Sequence, residues 1–96
     1  MSFEWDDRKA LLNEQKHGVT FEEAKSVFDD FGAPFTFDVE HSSVKDRYMI
    51  IGFSDRGRLL AVWHTYRDPN IRIIGARLAT AAEQNGYDEK TNHRRR

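Results

Sequence analysis

The sequence predicts an α+β domain: an antiparallel sheet of about four strands that follows two N-terminal helices and precedes one C-terminal helix. Three observations predict it. Asp6 and Gly18 bracket a first helix, Thr20 opens a second with Phe21, Ala24, Phe28 and Phe31 at helical intervals, and from Pro34 onward the apolar period changes to two. A chain of 96 residues has room for one modest core and not for two. Residues 1–90 are therefore read as one domain and 91–96 as a basic, disordered tail.

Phe3 to Trp5 reads as a short strand or lead-in. Asp6 then has the short acceptor side chain wanted at an N-cap, Lys16 and His17 suit the negative end of the helix dipole, and Gly18 stands where a left-handed residue closes the helix. Thr20 and Glu23 have the spacing of a capping box, so a second helix starts at once and buries its aromatic stripe. Phe35, Phe37 and Val39 alternate with Thr36, Asp38 and Glu40, which describes a strand with one wet face. Residues 48–54 and 59–66 make two more strands, joined by Asp55-Arg56-Gly57, where Gly57 can take the positive φ of a short hairpin. Arg67-Asp68-Pro69-Asn70 makes the next turn, residues 71–75 close the sheet, and Thr80 begins the last helix. The helices are expected to gather on one side of the sheet.

Two short loops fix a register. If Ser54 pairs with Arg58, Tyr48 falls opposite His64 and Arg47 opposite Thr65; if Tyr66 pairs with Ile71, Arg72 falls beside Thr65 and Ile73 beside His64. Arg47, Thr65 and Arg72 then share one face, while Tyr48, His64 and Tyr66 share the other.

The formal net charge of -1 conceals a division. Residues 1–40 carry ten acids against four bases, a balance of -6, and residues 41–96 carry six acids against eleven bases, a balance of +5. Arginine supplies most of that excess, and its planar fork suits phosphate, so a polyanion partner is one reading. A solvated face with a polar Arg94-Arg95-Arg96 end accounts for the same charges, and composition does not choose between them. With no cysteine, the chain has neither disulfides nor thiolate chemistry, which suits a reducing cytoplasm. Neither a signal-peptide pattern nor a bilayer-length apolar run is present, so the expected location is cytoplasmic, with no membrane partner.

A set of histidine, tyrosine and arginine side chains could serve a ribonuclease working without a metal. Such an enzyme needs a group to help the 2′-OH attack, a proton donor for the leaving oxygen, and cations for the developing charge. His64 titrates in the right range, and Arg47, Arg67, Arg72 and Arg77 are candidate phosphate clamps. Taken alone, a strand histidine is more often a satisfied core residue than a catalyst. His17, His41, His64 and His93 show no metal-ligand spacing, the acids lie in separate elements, and no glycine-rich phosphate loop occurs, so neither metal nor cofactor is expected.

Trp5-Asp6, Lys9, Asn13 and Lys16-His17-Gly18, then Phe21 and Ala24, then Asp38, His41 and Arg47, and finally Arg72 to Arg77 with Ala79, Glu83 and Tyr87 follow one another in an order that resembles the BrnT family. These are toxins of type II toxin–antitoxin operons that share the small RelE-like ribonuclease fold. The resemblance covers residues 3 to about 87 and departs at Gly75, where the family commonly has serine. It implies a translation-inhibiting endoribonuclease, held inactive by a neighbouring antitoxin of the BrnA type with a ribbon-helix-helix part. It also implies that DNA is bound chiefly by the antitoxin or the complex. On this reading Arg47, His64, Arg67, Arg72 and Arg77 are the catalytic candidates, and Lys9, Lys16, His17, His41 and Tyr66 the RNA-binding ones. Plainer readings stand beside these: Trp5 as a core anchor, Lys9 and Lys16 as solvated helix positions, and Arg77 as an ion-pair partner of a helix acid. The alternative function is a non-catalytic module of the same fold that holds RNA or a protein.

Overall fold

Asp6 starts the first helix as its side chain dictates: Oδ1 accepts the backbone N–H of Lys9 at 3.0 Å, and Gly18, at φ 69°, stops it by donating to the Glu14 carbonyl at 2.8 Å. In the computed structural model, residues 2–31, 35–37 and 46–94 are described, with side chains given at 2–31 and 46–91. The elements run β1 (Ser2–Glu4), α1 (Asp7–His17), α2 (Phe21–Ser26) with a 3₁₀ turn (Val27–Asp29), β2 (Phe35–Phe37), β3 (Tyr48–Phe53), β4 (Leu59–Arg67), β5 (Asn70–Leu78) and α3 (Ala81–Arg94).

The strands form one sheet in the order β1-β5-β4-β3-β2. The hairpin registers are the expected ones, with Tyr48 opposite His64 and Thr65 opposite Arg72, and Gly57 takes φ 75°. Three features differ from expectation. The residues read as a strand or lead-in form a fifth strand, β1, which joins β5 in parallel with Glu4 opposite Arg72. The β4–β5 ladder also carries a bulge, since Trp63 faces Gly75 while His64 faces Ile73, which leaves Ile74 between them. The final helix continues to Arg94, beyond the residue-90 edge read from sequence.

The helices do not gather on one side. One face packs Ile50, Leu60, Val62, Ile73 and Ala76 against Val19, Phe21, Ala24 and Val27, with Phe3, Trp5, Ala10 and Phe28 at the margin. The other face packs Met49, Ile51 and Ala61 against Tyr87 of α3. Burying Phe21 and Ile51 removes most of their apolar surface from water, worth about 1.5–3 kcal/mol each. Trp5 meets Phe21 edge-on with ring centroids 6.1 Å apart, which is the anchoring role. The aromatic stripe of α2 ends early. Its helix tightens into the 3₁₀ turn, changing the angular advance, so Val27 is buried and Phe31 is 90% exposed.

Polar side chains tie these layers together. No residue of α1 is buried; the helix is held by Asn13, whose amide donates to the carbonyls of Val19 and Ala76, both at 2.9 Å, and accepts from the Ala76 N–H at 3.1 Å. Beyond β1 the edge of β5 lacks a strand neighbour, and Asn13 stands in for one. Thr20 caps α2 as expected, but Glu23 does not complete the box. Its buried carboxylate accepts from Ser54 Oγ at 2.7 Å and from Arg58 Nε at 2.9 Å, binding α2 to the β3–β4 hairpin. Gly52 is required where the 3₁₀ turn crosses β3, because a Cβ there would lie 2.9 Å from Val27 Cγ1.

Candidate active site

Because side chains alternate along a strand, the α3 side of the sheet receives Thr65 and Arg67 from β4, Arg72 from β5 and Arg47 from the residue preceding β3. Helix α3 covers only the part around Met49, Ile51 and Ala61, so the other half stays open. There Arg47, Thr65, Tyr66, Arg67 and Arg72 line a cavity of about 470 Å³, with Lys9 reaching in from α1 and Asp46 from the turn before β3. Asp46 holds φ 64°, a left-handed conformation that aspartate adopts more readily than most side chains, and this bend delivers Arg47 to the site. The bulge contributes Ile74.

Four cations thus meet one carboxylate on the lining. Arg72 donates through Nη1 to Glu4 Oε2 at 2.7 Å, and Asn70 Nδ2 donates to Glu4 Oε1 at 3.0 Å. The Asn70 amide and the Arg72 guanidinium hold the Glu4 carboxyl below its ordinary range, so it is ionised at neutral pH. A guanidinium has five N–H donors, so this contact aims Arg72 and leaves donors for a second anion. Arg47 and Arg67 have no ion-pair partner among the described residues.

The structure therefore brings Arg47, Arg67 and Arg72 together with Lys9 and Tyr66. It does not bring in His64, which is 1% exposed on the opposite face beneath Phe28, whose ring centroid is 4.9 Å away. Burial pushes the His64 pKa down, keeping the ring neutral. Nδ1 lies 3.4 Å from the Val62 carbonyl, which can only accept; Nε2 is then left to accept from the Tyr66 hydroxyl, also at 3.4 Å. His64 thus lies apart from the cavity lining, in the core under Tyr66.

Arg77 also lies off the cavity lining. Its Nη1 and Nη2 donate to Glu83 Oε1 and Oε2 at 2.8 and 3.0 Å, and its guanidinium carbon lies 4.8 Å from the centre of the Trp63 ring. Glu83 in turn completes a capping box with Thr80 at the start of α3, accepting from the Thr80 N–H at 2.9 Å. The Arg77 guanidinium holds the Glu83 carboxyl low, and Arg77 anchors α3 instead of lining the cavity. Lys16 and His17 occupy the exposed last turn of α1, away from the lining, and His41 falls outside the described residues. Sequence periodicity does not reveal Glu4 as the partner of Arg72, because a three-residue strand carries too little of it. Among the described residues, no group of three histidines, aspartates or glutamates is arranged to hold a metal ion.

The fold and this cavity define a small α+β protein whose sheet carries an open face lined by four cations and one carboxylate. Residues 5–83 match the family model described as the ribonuclease toxin BrnT of type II toxin–antitoxin systems. The chain belongs to that family: it is a ribonuclease toxin, and the system implies an antitoxin partner. The crystal structure of the Brucella abortus ribonuclease toxin BrnT is similar, with a TM-score of 0.64 and 28% identity over 83% of this chain and 97% of that one. No curated protein matches the chain. No helix among the described residues is long and apolar enough to cross a membrane.

Proposed function

We propose that this toxin binds and cuts RNA in the open cavity of the sheet without a metal ion, acts in the cytoplasm, and is neutralised by a BrnA-type antitoxin with a ribbon-helix-helix part. DNA is then met only through the toxin–antitoxin complex. The observation that carries the reading is the set of Lys9, Arg47, Arg67 and Arg72 around one cavity with a single acid on its lining.

In the reaction, the 2′-oxygen bonds to the adjacent phosphorus as its proton passes to solvent water, and the bond from phosphorus to the 5′-oxygen breaks as that oxygen takes a proton from water. Arg47, Arg67 and Arg72 hold the phosphate and stabilise its extra charge, the kind of contribution worth roughly 3 kcal/mol per well-aimed donor. Tyr66, exposed at the same cavity, turns its one hydroxyl proton from His64 Nε2 to the leaving oxygen when RNA is bound. Lys9 adds a cation beside the reacting phosphate, and Lys16, His17 and His41 bind further parts of the RNA.

The test is cleavage of total RNA by purified toxin in excess chelator, with and without the product of the neighbouring gene. Undiminished cleavage in chelator, abolished by the partner, is the expected result. Loss of cleavage in chelator and recovery with added magnesium would overturn the metal-free mechanism. A neutralising partner without a ribbon-helix-helix pattern would overturn the BrnA assignment.

A further inference from the structure

At the rim of the arginine cavity, on the opposite sheet face, two tyrosines stand unusually open for ring side chains on strands. Tyr48 is 38% exposed and Tyr66 59% exposed. Tyr48 lies opposite His64 in the ladder and Tyr66 follows His64 by two residues, so all three project from the same face. The Tyr48 and Tyr66 ring centroids are 5.4 Å apart, and each ring contacts His64, at 6.1 and 5.3 Å. His64 rests in turn on Phe28. The two phenols are supported from below by a buried ring and open above. The core does not need that exposed aromatic surface.

We propose that Tyr48 and Tyr66, whose rings are tilted 55° to each other, form an aromatic platform for one unpaired nucleobase of the RNA strand whose phosphate lies among the cavity arginines, the base stacking on one ring and meeting the other with its edge. This rests on the reading that the cavity takes RNA. Tyr66 makes the two features continuous, since it lines the arginine cavity and touches Tyr48. A phosphate and its own base are separated by one sugar, so a strand crossing the sheet end engages cations on one side and rings on the other. The platform selects single-stranded RNA, because a base within a duplex has both faces stacked and its edge paired. It selects weakly among bases, since every base has a π face. The arginines bind phosphate whatever the sequence; the tyrosines require that a base be free.

The experiment measures binding of a short 2′-O-methyl RNA, which cannot be cleaved, and of copies with an abasic site stepped along it. Each is titrated at three salt concentrations against wild type, Tyr48→Ala, Tyr48→Phe and Tyr66→Ala. The expected result is roughly tenfold weaker binding for Tyr48→Ala with an unchanged salt slope, near-normal binding for Tyr48→Phe, and one abasic position that weakens wild type but not Tyr48→Ala. Tyr66→Ala should reproduce the loss, which keeps the proposal testable if one variant folds poorly. Normal RNA affinity in both alanine variants, or abasic losses identical in wild type and Tyr48→Ala, would overturn the platform. Normal RNA affinity with weakened antitoxin binding would make it a protein contact instead. Failure of folded wild type to bind any of these RNAs would remove the RNA reading of the cavity itself, a different outcome from loss of the abasic signal alone.

Discussion

Replacing Arg77 by alanine should unfold this protein more than it damages its chemistry. The guanidinium makes two charge-assisted hydrogen bonds to Glu83, at 2.8 and 3.0 Å, from a position over Trp63. The Glu83 side chain is only 11% exposed, so without Arg77 it keeps the Thr80 N–H but loses its cation. Hydrogen bonds to charged groups are worth about 1.5–3 kcal/mol. Partial exposure of Arg77 discounts that range, leaving about 2 kcal/mol. For a domain of this size each kcal/mol moves the midpoint by about 4–8 °C, so Arg77→Ala should melt roughly 8–16 °C below wild type. Glu83→Ala should lose a similar amount, and the double variant little more than either, because the two residues serve one contact. The assay is a thermal melt of each variant beside RNA cleavage measured well below the lowest midpoint. An Arg77→Ala protein that melts with wild type yet fails to cleave would refute this and return Arg77 to the catalytic set.

Three further outcomes follow from the same contacts. Trp5→Ala should lose about 3 kcal/mol, the low end for a truncated aromatic because Trp5 is only partly buried against Phe21, seen as a lowered melting midpoint. Burial lowers the His64 pKa, so below about pH 6.5 the unfolded chain binds a proton that the folded chain resists; melts should fall as pH drops from 7 to 5, and His64→Phe should flatten that slope. Gly75→Ser should melt and cleave like wild type, since an added Cβ meets nothing nearer than Asn13 Oδ1 at 3.8 Å and the backbone is not left-handed.

The legible parts of the fold were those fixed by one residue or one short loop. Asp6 and Gly18 each do a local job, and a three-residue hairpin leaves Tyr48 no partner but His64. The same register puts Arg47, Thr65 and Arg72 on one face. What counting could not reach depends on contacts distant in the chain. Arg72 and Arg77 are five residues apart, which on a regular strand sends them to opposite faces; the Ile74 bulge puts both on the same one. Periodicity placed His64 beside Tyr48 but could not show that Phe28 would cover it. The side chosen by α3 rests on Tyr87 and the Arg77–Glu83 contact, too little apolar surface to read from a polar helix.

The most direct measurement is cleavage and melting of Arg47→Ala and Arg72→Ala side by side. If the open cavity is where RNA is cut, each variant should lose roughly 100-fold or more in cleavage rate while melting close to wild type, because Arg47 has no ion-pair partner among the described residues and Arg72 has only the half-exposed Glu4. Cleavage at the wild-type rate in both folded variants would contradict it.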